Sequence, residues 1–405
     1  MSQWMLLARN IAHRKTLSLL TVAAVAVTIA LFALLILFRD GVERGAQKGY
    51  GPFDIVIGAE GSESQLVLST FFRVGSPTGN IPASVWASLK KEEQAEAAFA
   101  MTTGDQHNGY PIVGVDPGYF QIRYGDRQLA KGKLYSQLGE VTLGYDAAKR
   151  LNAKIGDTFS GAHGLAGHLA EEHDDEEEDG HEHEDAHHAF RYTVVGVLPK
   201  LGTPDDRAVF TTLDYAWAVH ELPEDRRDVT AVMIKPKTLL GAQMIKQKYD
   251  KINNVQAVYT SKAIADVLNV VDTGSQLLQI VMAVCVVLAA LSLLLSLTAA
   301  VNERKKDVGL LRLVGKPGSF IWLCLVGEGA LLTAVGVVVG LALGHISGWL
   351  IGDAVFSQTG VRIISDRLLA SELWIAAGAL AIGAAASAVP AFRIYKVGPM
   401  ELFRS

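Results

Sequence analysis

The chain has 405 residues, half of them hydrophobic, and a positive mean hydropathy, which excludes an ordinary soluble domain over its whole length. A formal net charge of -5 gives no basic excess for nucleic acid. The two cysteines, Cys285 and Cys324, lie in or beside apolar runs, so no disulfide framework is expected.

Residues 1–16 carry Arg9, Arg14 and Lys15 ahead of an uncharged run that begins at Leu17 and stops at Arg39 and Asp40. A hydrocarbon core of about 30 Å takes roughly 20 helical residues, so 17–38 is predicted as the first membrane helix behind a cytosolic amphipathic segment, 1–16. A cleaved signal peptide is the competing reading. Against it, the run is long for such a segment and no small-residue cleavage site follows it cleanly.

Residues 39–272 are large enough for an α+β domain of their own, joined to the membrane by stalks. "FDIVIG" (53–58), "YPIVGVD" (110–116) and "RYTVVGVL" (191–198) read as strands. Residues 84–99 and 146–157 have helical composition, the second closing at Gly156. Residues 58–82 are rich in Gly and Ser around Leu66, Val67, Leu68, Phe71 and Phe72. They are either buried core with turns or a membrane-proximal lip for a lipid-like or lipoprotein cargo. Ile264, Val267, Leu268 and Val271 follow helical spacing, which predicts an amphipathic stalk running into the second membrane helix.

Within this domain, 163–189 forms an insertion of unusual composition. His163, His168, His173, His181, His183, His187 and His188 are seven of the eleven histidines in the chain, interleaved with Asp and Glu and free of Lys and Arg. Such a run cannot bury apolar surface, so a disordered, solvated segment is expected. Imidazole and carboxylate are ligands for Zn or another divalent metal, and weak multi-site capture that fades as histidines protonate is the expectation. An acidic, solubilising loop is the alternative.

Three further membrane helices are predicted at 273–301, 320–351 and 373–392, separated by a cytosolic loop at 302–318 and a short outer loop at 352–372. The tail is 393–405. Five Lys or Arg lie in 302–318 and three in the tail, against two in 352–372, so both termini and the 302–318 loop are placed in the cytosol and residues 39–272 outside. Gly336, Gly340, Gly344, Gly348 and Gly352 recur every fourth residue along the third helix, a ridge for close packing within the chain or against a second protomer. His345 lies in the same helix, either pairing or lining a polar seam.

The loop "NERKKDVGLLRLVGKPG" could dock in a partner's groove or merely obey the charge asymmetry. It is not a phosphate-binding loop, because five residues separate Gly309 from Gly315 and Pro317 replaces the Ser or Thr such a loop needs. No nucleophile, base and orienting acid assemble anywhere in the domain, so a non-catalytic membrane subunit is expected.

Glu303, Arg304, Lys305, Lys306, Asp307, Gly309, Leu311 and Arg312, with Glu328 in the following helix, resemble the signature segment of FtsX/MacB-type ABC-transporter permeases. The ending "VPAFRIYKVGPMELFRS" and the outer stretches "LGYDAAKRLNAKIGDTF" and "YTVVGVLPKLGTPDDRAVFTTLDYAW" are similar to the same family. The resemblance implies an α-helical membrane protein of four transmembrane helices with a MacB-like periplasmic core domain between helices 1 and 2, in a bacterial inner membrane. It further implies that a separate cytosolic ATPase, using ATP and Mg, grips the loop beginning at Glu303. Two permease chains, identical or different, then convert nucleotide-driven closure into motion of the outer domain, called mechanotransmission. A periplasmic metal-binding or substrate protein is an expected partner alongside membrane lipid. The alternative is a non-transporting regulator that activates a periplasmic partner such as a cell-wall hydrolase.

Overall fold

The computed structural model describes residues 15–125, 131–163, 190–303, 314–360 and 362–396. In chain order the first elements are α1 (Lys15–Gly49), β1 (Ile55–Ala59), α2 (Glu63–Val67), a π-helical turn (Leu68–Phe72), β2 (Ile81–Pro82), α3 (Ala83–Leu89), β3 (Ala95–His107), β4 (Tyr110–Val115) and α4 (Gly118–Tyr124). Next come β5 (Lys131–Gly132), β6 (Glu140–Leu143), α5 (Tyr145–Arg150), β7 (Thr158–Phe159), β8 (Ala162–His163), β9 (Tyr192–Val197), a 3-10 turn (Pro204–Arg207), β10 (Val209–Thr211) and α6 (Leu213–Val219). After a 3-10 turn (Glu224–Arg226) the chain forms β11 (Asp228–Val229), β12 (Ala231–Pro236), α7 (Leu239–Tyr249), β13 (Val255–Tyr259), α8 (Thr260–Glu303), α9 (Gly318–Thr359) and α10 (Ala370–Lys396).

Four helices, among the described residues, are long and apolar enough to cross a membrane: α1, α8, α9 and α10. The chain divides into two units, one of residues 1–41, 271–353 and 363–405, the other of 42–270 and 354–362.

In the first unit, Val25, Ile29, Ala289 and Val337 form one apolar cluster and Leu293, Leu297 and Leu332 another. Hydroxyls within the helices return to their own backbone: Thr21 Oγ1 donates to the Leu17 carbonyl at 2.9 Å and Thr333 Oγ1 to Gly329 at 2.9 Å. Each such bond satisfies a polar group that lipid could not.

The second unit is built on a mixed sheet in the order β13-β1-β12-β3-β4-β10-β6-β9-β5, with β7 on β9 and β8 on β3. Most pairs are antiparallel; β4 with β10 and β6 with β9 are parallel. Side chains alternate across a strand, and here both faces are covered. Ala231 and Met233 of β12 enter one cluster with Phe53, Val56 and Phe210, while Val232 and Ile234 enter another with Ile55, Ile57 and Tyr249. That is why Ile55, Val56 and Ile57 are all apolar rather than alternating with polar residues. Thr212 and Thr238 cap α6 and α7 by accepting from the backbone N–H of Tyr215 and Gly241 at 3.2 and 3.0 Å.

Three sequence expectations change. The predicted helix at 84–99 stops at Leu89, and Ala95–His107 is a strand, because β3 must lie between β12 and β4 in the sheet. The helical stretch at 146–157 is the shorter α5, after which Asn152 and Gly156 take positive φ and turn the chain. The third membrane helix runs past Gly352 to Thr359, where Phe356 is buried under the guanidiniums of Arg207 and Arg362. In the segment 58–82, Leu66, Val67 and Phe71 are fully buried, so this stretch is core and not a lip.

Candidate functional site

Of the residues assigned to ATPase coupling, Glu303 ends α8, and Arg304, Lys305, Lys306, Asp307, Gly309, Leu311 and Arg312 lie outside the described residues. So do His168, His173, His181, His183, His187 and His188; His163 is placed in β8. The glycine ridge is described. A Cβ on Gly336 would stand 2.7 Å from Val25 Cβ, one on Gly340 2.6 Å from the Ala26 carbonyl oxygen, and one on Gly344 2.7 Å from Ala33 Cβ. The ridge therefore lies against α1 of the same chain, backbone to backbone, and a Cβ on Gly348 would stand 3.3 Å from Leu37 Cδ1, a tight fit. His345 also has a partner in its own unit. Its Nδ1 is 2.9 Å from the Ser365 carbonyl and its Nε2 3.2 Å from the fully buried Glu372 carboxylate. Glu372 in turn accepts from the Leu369 N–H at 2.8 Å, capping the start of α10.

The most concentrated polar constellation lies in the second unit, around the turn Pro204–Arg207. Asp205 is completely buried. Its Oδ1 meets Arg73 Nη2 at 3.1 Å, and its Oδ2 meets Arg123 Nε at 3.3 Å, the Tyr119 hydroxyl at 2.8 Å and the Tyr124 hydroxyl at 2.6 Å. Burial pushes this carboxyl up, but Arg123, Arg73 and the two hydroxyls outweigh it and hold the group below the usual carboxylate range. Arg123 also donates to the Gly49 carbonyl, the last residue of α1.

Arg73 follows the π-helical turn with φ 58°, a left-handed conformation that costs a non-glycine residue about 1–3 kcal/mol. The buried ion pair with Asp205 and its donation to the Thr70 carbonyl hold it there.

Neighbouring residues of the turn reach a different helix. Arg207 lies over Phe356 near the end of α9, its guanidinium carbon 5.6 Å from the ring centroid, and Arg362 pairs with Asp146 of α5. Asp206 is buried as well and accepts from the N–H groups of Leu201 and Gly202 at 2.9 and 2.8 Å. Burial pushes its carboxyl up to about 6 against those two donors. Adjacent carboxyls are thus driven in opposite directions, because Asp205 faces two cations and Asp206, among the described residues, faces none at hydrogen-bond range. Gly144 packs against the backbone of Asp205 and Asp206 so closely that a Cβ would overlap it. One short turn collects the last residue of α1, the end of α9, and the sheet.

The description "FtsX-like permease C-terminal" matches residues 279–399, and "MacB-like periplasmic core domain" matches residues 18–247, more than half of the chain. The chain belongs to this permease family. The permease is also similar to the lipoprotein-releasing system transmembrane protein LolC of Neisseria meningitidis, 23% identical over 233 residues, which is 53% of this chain and 55% of that protein. It thus spans about half the length of the curated relative it matches. Among solved structures, the extracellular domain of the noncanonic ABC-type transporter YknZ from Gram-positive bacteria matches with a TM-score of 0.31 at 10% identity, covering 50% of this chain and 98% of that one.

The Asp205 constellation was not assembled from sequence. Its members are spread from Gly49 to Asp205, and only "TPDDRAVF" lies within a stretch that resembles the family. Paired acids before an arginine and a strand were the one available signal.

Proposed function

We propose that this permease transmits force rather than conducting a solute through its bundle. In this reading a cytosolic ATPase grips the loop from Glu303 to Arg312, both termini face the cytosol of a bacterium with the membrane helices in its inner membrane, and the inserted domain moves on the outer side as part of a dimer. The observation that carries it is the turn Pro204–Arg207. There the last residue of α1 is bonded to Arg123 of the buried Asp205 network, the end of α9 lies under Arg207 of the same turn, and Gly144 of the sheet packs on the turn's backbone. A pull on either helix end would load this region directly, since two buried guanidiniums share the single Asp205 carboxylate and neither can shift without losing its counter-charge. The run of histidines from His163 to His188 supports a link to zinc or a similar divalent metal as cargo or signal.

The test uses the permease reconstituted with its partner ATPase in nanodiscs. Glu303→Lys is expected to remove most of the permease-dependent stimulation of ATP hydrolysis while leaving the complex assembled on size exclusion. Undiminished stimulation would remove the coupling role from this loop.

A further inference from the structure

A cavity of about 190 Å³ lies inside the membrane unit, bounded by α1, α8, α9 and α10. Its floor is Val25, Ile29, Ala289 and Leu293, all buried. Among the described residues that line it none is charged, and the two polar ones, Thr28 and Thr333, are already bonded. Their hydroxyls donate to the Ala24 and Gly329 carbonyls of their own helices at 2.8 and 2.9 Å. Such walls offer little to water and suit hydrocarbon. An apolar cavity of about 150 Å³ in a soluble protein stays dry and takes benzene, so this one has room for a segment of hydrocarbon chain.

The two glycines of α10 in its wall fix where it opens. A Cβ on Gly383 would overlap Thr333 Oγ1, so α10 is closed on α9 there. One and a half turns earlier, about 7.5 Å along the axis, a Cβ on Gly378 would meet nothing within 4 Å among the described residues. Gly378 and Ile382 are exposed, so the slot opens sideways within a helix long and apolar enough to cross a membrane. It runs from Ile375 to Gly383, about 12 Å along α10. Trp374, 80% exposed, stands one turn before Gly378, and an exposed tryptophan near the end of a membrane helix marks the level of the lipid headgroups. An acyl chain hanging from a headgroup at that level enters the slot at its open end.

We propose that this slot binds one acyl chain of a bilayer phospholipid, as a fixed part of the bundle. The inference goes beyond force transmission and does not depend on it. The uncharged lining and self-bonded hydroxyls fit methylenes and exclude a headgroup, whose charge would have no partner inside. The bound chain completes the packing where α10 stands off from α1 and α8 at Gly378. The same face of a second copy is the competing occupant.

The full-length permease in nanodiscs of phosphatidylethanolamine and phosphatidylglycerol, each with a photoreactive diazirine on one acyl chain, is transferred to mild detergent, washed, irradiated and mapped by mass spectrometry. One phospholipid per chain is expected to remain, with crosslinks gathered on residues 25–32 and 375–383. Gly378→Leu fills the mouth of the slot and should lower the retained lipid about tenfold, the effect of turning about two buried methylenes out of it. Gly274→Leu, at an exposed glycine of α8 with nothing within 4 Å of its own Cβ position among the described residues, adds the same side chain elsewhere and should retain lipid as the parent does. Crosslinks spread evenly over the exposed residues of α8 and α9 in the parent chain overturn the slot, whether or not either variant folds. Equal retention by Gly378→Leu and the parent overturns it as well. So does a disulfide between two Gly378→Cys chains, with Cys285 and Cys324 replaced by serine, that forms in the membrane while no lipid is retained, which assigns the face to a second copy.

Discussion

The two units bury their polar groups by opposite means. In the domain, Asp205 draws Arg73, Arg123, Tyr119 and Tyr124 out of water together, so that each charge depends on the others. In the bundle, contact comes from what is missing: the side chains of Gly336, Gly340 and Gly344 are absent so that α1 can approach. A buried ion cluster built on one carboxylate fails together when that carboxylate is removed, whereas a glycine seam fails by being wedged apart. Under the force-transmission proposal, that difference suits a domain that receives force and helices that move against one another.

The largest expected effect is in the domain. Asp205→Ala leaves two buried guanidiniums without a counter-charge and should cost about 3–5 kcal/mol, read as a lower thermal unfolding midpoint of the full-length permease in detergent. An unchanged midpoint would mean that water reaches the cluster and that the contrast between the units is false.

Asp206 sharpens the contrast through pH. Its folded carboxyl titrates at about 6, above the ordinary value, so between roughly pH 4 and 6 the folded state holds more protons than the unfolded one. Its contribution therefore makes the domain lose stability as pH rises through that window, by at most about 3 kcal/mol. Asp206→Asn should flatten the midpoint against pH there. Asp205 has the opposite sign, its stabilisation fading only as pH falls below the ordinary carboxylate range.

In the bundle, Gly340→Val would press a branched side chain onto the Ala26 carbonyl and Ile29, and overpacking of this kind costs about 1–3 kcal/mol. It should ease protease cutting in the membrane unit while the domain's own fragments stay intact. Smallest of all is Lys235→Ala, which removes a half-exposed pair with Glu96 and should change stability by no more than about 0.5 kcal/mol.

The sequence made the membrane helices legible because lipid imposes a one-dimensional rule on hydropathy, and the spacing of Gly336 to Gly348 needed only the helical period. Strands buried on both faces were harder. Ala95 to Phe99 read as helix because alanine and glutamate favour it, and only the neighbours β12 and β4 make it a strand. The Asp205 constellation was hidden for another reason. Ion pairs between Arg73, Arg123 and Asp205 depend on which strands meet in the sheet, and sequence spacing carries no trace of that.

The central claim is that force entering at the loop after α8 reaches the inserted domain. It is tested by pulsed electron spin resonance on the nanodisc complex, with Cys285 and Cys324 replaced and one spin label at the exposed Glu93 of each permease chain. Adding ATP with vanadate should shift the distance between the two labels, and Glu303→Lys should abolish the shift while leaving the resting distance unchanged. A shift of the same size in the Glu303→Lys complex would contradict the account.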